Sequence, residues 1–256
     1  MQTTALLADM VSAMSARRSV RQYTDAPIDD ALLNELLEAA ARTQTMGNLQ
    51  LYSVVVTRNA AMKARLAPAH FNQPMVTAAP VLLTFCADYH RTTAWCRARK
   101  AEPGYDNFLS FINAATDALL FCQSFCNLAE AAGLGLCYLG TTVYQPQQII
   151  DALQLPRLVM PVATITLGWP DGQPAQTDRL PLSAFVHNEQ YVLPTPSSID
   201  RDYSAKEALP ENREFVAINH KETLAQIFTD IRYTKRDCEA MSQGLLDALK
   251  RQGFLE

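Results

Sequence analysis

Along residues 3–17, TTALLADMVSAMSAR, apolar side chains recur at Leu6, Leu7, Met10, Val11 and Met14, the spacing of one helix face. The same period returns after Pro27, in IDDALLNELLEAAART, at Leu32, Leu33, Leu36, Leu37 and Ala40, with Asp29 placed to cap the helix start. Two shorter runs have no helical period. LYSVVVTR (51–58) and VLLTFCAD (81–88) are β-branched or aromatic, bounded by turn-prone residues, and predict buried strands. A third strand is predicted over 159–170, VMPVATITLGWP, where a Gly and a Pro stop it. Between the second and third strands lies the longest helical pattern, Asp106 to about Gly135, apolar around most of its circumference and so suited to a core or a subunit interface. Helices and strands interleave at uneven intervals, and no G-x-G-x-x-G follows the first strand, which favours an α+β fold over a doubly wound nucleotide-binding one. From about Asn188 the texture changes to a Pro- and Ser-rich stretch, followed by charged helical patterns at roughly 199–217 and 236–252. That tail has too few apolar positions for a core of its own, and is expected to wrap another surface.

Composition narrows the classes. The 256 residues carry a formal net charge of −4, so no broad cationic face is available for a nucleic-acid backbone, and anion binding has to be local. No apolar run approaches the roughly 20 residues that span a bilayer, and the N-terminus lacks a basic region ahead of its apolar part. The expectation is a cytoplasmic protein with neither membrane nor nucleic-acid partner. Six cysteines never form C-x-x-C, and Cys122 and Cys126 fall at i, i+4 inside the long apolar helix, as small hydrophobes do. Four scattered histidines offer no ligand pair, so no metal site is expected.

Local anion binding has one obvious candidate. Arg17, Arg18 and Arg21 flank Ser19 where the first helix ends, a group of guanidinium, hydroxyl and backbone donors that matches a phosphate. The competing reading is a solvated charge run that complements a helix C-terminus. TQTMGNLQ (43–50) brings hydroxyls, an amide and a glycine between a helix and a strand, or is an ordinary loop. GLGLCYLGTT (133–142) has glycines that permit close approach of a flat ligand, or form a helix cap and a turn. GWPDGQPAQTDRLP (168–181) carries Arg179 into a proline-fixed loop.

Taken in order, RRSVRQYTDAPI, TQTMGNLQ, HFNQPMVTAAPVLLTFCAD, GLGLCYLGTT and LGWPDGQPAQTDRLPLSAFVHNEQY resemble the nitroreductase family of FMN-dependent oxidoreductases, and within it the branch of NADPH-preferring nitroreductase A and flavin reductases. The resemblance covers roughly residues 6–192, and the ending ALKRQGF is also similar. It implies a nitroreductase-like α+β fold, a central mainly antiparallel sheet flanked by helices, with a C-terminal helical extension. Residues 1–190 would form the FMN-binding core and 191–256 the extension, wrapping the core or the partner, in a single structural domain and a homodimer with FMN at the subunit interface.

The resemblance also assigns residues. The R-S-x-R element, Arg18, Ser19, Val20 and Arg21, preceded by Arg17 where a histidine is frequent, would hold the FMN phosphate and pyrimidine edge. Thr45 to Gln50, including Asn48, would come from the second subunit. Gln73, the turn of Tyr138, Leu139, Gly140 and Thr141 beside the ring, and Arg179 at the phosphate complete the set. One feature departs from the family: K-P-R-L-P reads Thr177, Asp178, Arg179, Leu180, Pro181, so a lysine is missing and an acid stands beside the arginine. Arg17 is the expected replacement for that charge. The implied activity is ping-pong hydride transfer from NADPH through the flavin to nitroaromatics, quinones or free flavin, with no catalytic side chain. Lys221, Arg232, Lys235 and Arg236 are candidates for the NADPH 2′-phosphate. A flavin storage or sensor module without efficient turnover is the alternative.

Overall fold

β1 (Tyr52–Thr57), β2 (Val81–Asp88), β3 (Gly135–Leu139) and β4 (Val159–Gly168) form one sheet in the order β1-β2-β4-β3, every pair antiparallel. The protein is seen here as a computed structural model, which describes residues 5–256. β2 and β4 run through the middle and are buried at every position, which is why their sequences are near-continuous apolar runs. Polar positions inside them are satisfied locally: Thr84 meets Thr164 hydroxyl to hydroxyl at 3.4 Å, and Thr166 Oγ1 lies 2.6 Å from Tyr23 Oη.

The flanking helices follow from the patterns. α1 (Ala5–Ala16) is the first helix, with Thr3 and Thr4 outside the described residues. Of its apolar stripe, Met10, Val11 and Met14 are more than half exposed. α2 (Asp30–Ala40) starts where Asp29 accepts from the Ala31 amide at 2.9 Å, and buries Leu33, Leu36 and Ala40. Four segments that the sequence left unassigned are helical: α3 (Ala60–Leu66), α4 (Pro74–Ala78), α5 (His90–Ala98) and, further on, α7 (Pro146–Leu153). Between them lies α6 (Phe108–Ala131), the long apolar helix, ended by Gly133 at φ +84°. Contrary to the sequence reading, α6 is long and apolar enough by composition to cross a membrane; its Phe121, Phe125, Cys126 and Ala129 instead pack on the sheet.

Side-chain alternation gives the sheet two covered faces. Leu83, Phe85, Leu136 and Ile165 meet α2 and α6, while Leu82, Cys137 and Leu139 meet α3, α4 and α7. A third cluster joins Leu51, Met160 and Ala118 to Ala248, Leu249 and Phe254 at the C-terminus.

β3 corrects the sequence reading, which took 133–142 as a glycine-bearing cap or ligand loop. Gly135 starts a strand paired with β4, and the position admits no side chain because a Cβ there would stand 2.7 Å from Val20 Cβ; the close approach is to the protein's own arginine segment. Val20 N–H donates to Leu136 O at 2.9 Å, so that segment runs beside β3.

The chain divides into two compact units, residues 1–176 with 241–256, and residues 177–240. In the second, the pattern predicted over 199–217 is two helices, α8 (Pro196–Glu207) and α9 (Pro210–Ile218), parted because Pro210 cannot continue a helix but starts one well. α10 (Leu224–Ile227) follows, with Thr223 and Gln226 forming a capping box. Only Asp202, Leu224 and Ile227 are fully buried among this unit's residues. α11 (Lys235–Gln252) returns the chain to the first unit, where Gln252 Nε2 donates to Pro156 O at 2.9 Å and Val159 O at 2.5 Å.

Candidate functional site

The arginine segment has no helix or strand of its own and is held by its neighbours. Thr24 N–H donates to Trp169 O, and Asp171 N–H to Gln22 O, so residues 17–24 lie between the end of β4 and the start of β3. Ser19, Arg21, Gln22 and residues 171–174 line a cleft of about 390 Å³. The Arg21 charge lies close to Cys137 and opposes the upward push of burial on that thiol. Arg17 pairs with Glu130 at 3.4 Å; burial pushes the Glu130 carboxyl up and Arg17 holds it back. Part of Arg17's charge is thus already committed, and that was invisible in the sequence. Among the described residues Arg18 makes a single long hydrogen bond, Nη1 to Ala16 O at 3.4 Å.

The turn after β3 stands at the same edge. Cys137 and Leu139 point to the α3/α7 face, while Tyr138, 44 % exposed, lies near Cys122 and Cys126 on the α6 side. Gly140 opens a tight turn over 140–143, and a Cβ on it would meet nothing within 4 Å. Thr141 Oγ1 is 2.8 Å from His70 Nδ1, and Gln73 Nε2 donates to His70 O at 3.1 Å. His70 therefore joins two predicted residues, Gln73 and Thr141. Burial lowers its pKa to about 4.

Thr45 and Asn48 lie elsewhere. Among the described residues no hydrogen bond or ion pair links their loop to residues 17–21, 73 or 138–141. Asp117, 1 % exposed in the middle of α6, accepts from Thr45 Oγ1 at 2.5 Å, Met46 N at 2.8 Å and Leu51 N at 3.2 Å. Gly47, Asn48 and Gln50 take left-handed conformations at φ between +48° and +56°. These bonds and Arg91, which donates to Gln50 O and Tyr52 O, hold the strained loop. A lone carboxylate inside an apolar helical run was the available signal for Asp117.

Arg179 belongs to the second unit, where its guanidinium donates to Thr177 Oγ1 and Asp178 O, both at 2.8 Å. Asp178 is neutralised by Lys206 of α8 at 2.9 Å, so the acid beside the arginine is balanced from a helix that the sequence did not connect with it. Lys221 pairs with Asp230 and Arg236 with Asp237, Lys235 faces Glu239 at 3.7 Å, and Arg232 lies over the Phe215 ring at 4.5 Å. A wider cleft of about 770 Å³ in this unit, walled by Val186, His187, Tyr191, Leu193 and Tyr203, includes none of the predicted residues.

The model of the Nitroreductase family matches residues 14–169, which span the arginine segment, the 43–50 loop, Gln73, the 138–141 turn and all four strands. The chain belongs to the nitroreductase family. Nitroreductases similar to it include the Salmonella typhimurium oxygen-insensitive NADPH nitroreductase, 30 % identical over 181 residues, 71 % of this chain and 74 % of that one. A Bacillus subtilis FMN reductase [NAD(P)H] is 29 % identical over 72 % of this chain and 75 % of its own. A crystal structure from Bacteroides fragilis is 56 % identical, with a TM-score of 0.94 over 96 % of this chain and 100 % of that chain.

FMN is the cofactor that this nitroreductase architecture implies, and the residues present fit it. A phosphomonoester needs convergent cations and hydroxyls, which Arg17, Arg18, Ser19 and Arg21 bring within five positions; a flat ring needs open space beside polar edges, which Gly140, Thr141 and Gln73 provide.

Proposed function

We propose that this nitroreductase is an FMN-dependent oxidoreductase that takes hydride from NADPH and delivers it to nitroaromatics, quinones or free flavin through one open face, in ping-pong fashion. The observation that carries the reading is the meeting of the arginine segment with β3 and the open turn at Gly140, linked through Val20, Gly135 and Arg21–Cys137. Bound FMN would supply the redox chemistry, accepting hydride and passing it on. Arg17, Arg18 and Ser19 anchor the phosphate. Arg21 lends positive charge to the pyrimidine edge, favouring the form in which negative charge has accumulated. Gln73, Tyr138, Leu139, Gly140 and Thr141 orient the ring and leave its other face accessible. No side chain of this chain needs to act as nucleophile or base.

The active form in this reading is a homodimer. Among the described residues the 45–50 loop, with Thr45 and Asn48, has no hydrogen bond or ion pair to the rest of the set, which suits a loop that serves the partner's flavin. Exposed apolar surface on α1 and on α6, including Leu109, 68 % exposed, and Ile112, is available for pairing. NADPH is preferred over NADH through cations of the second unit, Lys221, Arg232, Lys235 and Arg236 being the candidates.

A visible spectrum of the purified protein tests the reading. Expected are flavin bands that bleach on anaerobic addition of NADPH and return with a quinone or nitroaromatic. Colourless protein that takes up no added FMN overturns it, and flavin that NADPH leaves oxidised points to storage. Equal turnover with NADH and NADPH removes the 2′-phosphate contact.

A further inference from the structure

One buried polar atom beside the 138–141 turn has no partner. His70 is 0 % exposed, and its Nε2 makes no hydrogen bond, while Nδ1 lies 2.8 Å from Thr141 Oγ1. The 67–70 turn that carries it packs against α3, α4 and α7, where Leu66, Ala69, Val76, Leu139 and Ile149 belong to one buried apolar cluster on this face of the sheet. The two neutral tautomers differ in cost. A proton on Nε2 would strand a buried N–H without an acceptor, whereas a proton on Nδ1 is donated to Thr141 and leaves only a lone pair unmatched, the lesser penalty. With Oγ1 occupied as acceptor, the Thr141 hydroxyl has its own proton to give. The neighbouring Thr142 spends its hydroxyl on Leu139 O at 2.9 Å, but Thr141 is half-buried next to the open space at Gly140.

We propose that His70 is a positioning residue, whose Nδ1–H orients the Thr141 hydroxyl as a donor toward acceptor atoms of the flavin ring. It holds the ring's neighbour Gln73 as well, through its carbonyl oxygen. The inference rests on the reading that flavin lies at this turn. The neutral state it needs is the one that burial enforces on the imidazole.

The test is FMN titration of the apoprotein by flavin fluorescence, with the midpoint potential of the bound flavin measured on the same variants. Thr141→Val and His70→Phe are each expected to raise the FMN dissociation constant about tenfold and to shift the potential in the same direction. The double variant should lose no more than either single one, because both remove the same hydrogen bond. His70→Asn, whose amide can donate from the place of Nδ1, should recover most of the affinity. Thr141→Val leaves the core intact and carries the test with His70→Asn if the Phe variant does not fold. Variants with lowered thermal stability but wild-type FMN affinity and potential overturn the positioning role, as does full additivity. Wild-type apoprotein that takes up no FMN overturns this inference and the flavin reading together, whereas wild-type binding with unchanged variants overturns this inference alone.

Discussion

The 43–50 loop and the 138–141 turn each hang on one buried polar side chain, Asp117 in the first case and His70 in the second. Asp117 accepts three hydrogen bonds, two from backbone amides and one from a hydroxyl, so its desolvation is offset by three partners. His70 is neutral, makes one side-chain hydrogen bond and leaves Nε2 unmatched. The loop it contrasts with carries left-handed residues and needs a strong latch; the turn needs only orientation, because β3 already fixes its start. An anchor with three hydrogen bonds suits a loop that must be held shut, and one with a single hydrogen bond suits a turn whose polar group must face outward.

The largest way to break this contrast is Asp117→Ala. It strands the Met46 and Leu51 amides and the Thr45 hydroxyl, and should cost about 4 kcal/mol in urea unfolding. A loss below 1 kcal/mol would mean that the loop holds itself.

The second effect is a pH dependence carried by His70. Its folded pKa, lowered to about 4, lies below the unfolded value, so the unfolded chain takes up a proton first as pH falls. The stability held above the unfolded pKa is therefore lost as pH drops from about 6.5 to about 4, by about 3 kcal/mol, and no further below. His70→Asn should flatten that part of the profile; an unchanged slope would place the titrating group elsewhere.

Gly135→Ala probes a third support, which is purely steric. The added Cβ would press on Val20 2.7 Å away, for a cost of about 2 kcal/mol. FMN affinity should fall too, since the arginine segment has to move, and retained affinity would separate that segment from the flavin. The smallest effect concerns the two latches together: Asp117 and His70 share no partner, so Asp117→Asn with His70→Asn should be additive within about 0.5 kcal/mol. Stronger coupling would show the two loops to be one unit.

What was legible in the sequence divides the same way. Asp29 as a cap, the stripe of α2 and the runs of β1, β2 and β4 were readable because each is a local pattern with a local cause. β3 was hidden, since Gly135, which beside Gly133 and Gly140 suggests a turn in the sequence, serves packing against Val20. The break at Pro210 between α8 and α9 was readable in principle, but a shared charged texture masked it. Asp117 and His70 gave only the weak signal of single polar residues in apolar surroundings.

The sequence by itself determined the α+β pattern, the length of α6, the cationic segment at 17–21 and the order of motifs that marks the family, because periodicity, propensity and side-chain type are carried by residues close in the chain. Only the tertiary structure decided that Arg17 shares its charge with Glu130, that Lys206 neutralises Asp178, that Phe254 completes the core, and which buried groups hold the loops. Those outcomes depend on which distant side chain arrives within hydrogen-bond reach, and a charge or an imidazole takes its properties from that partner and from the water excluded around it.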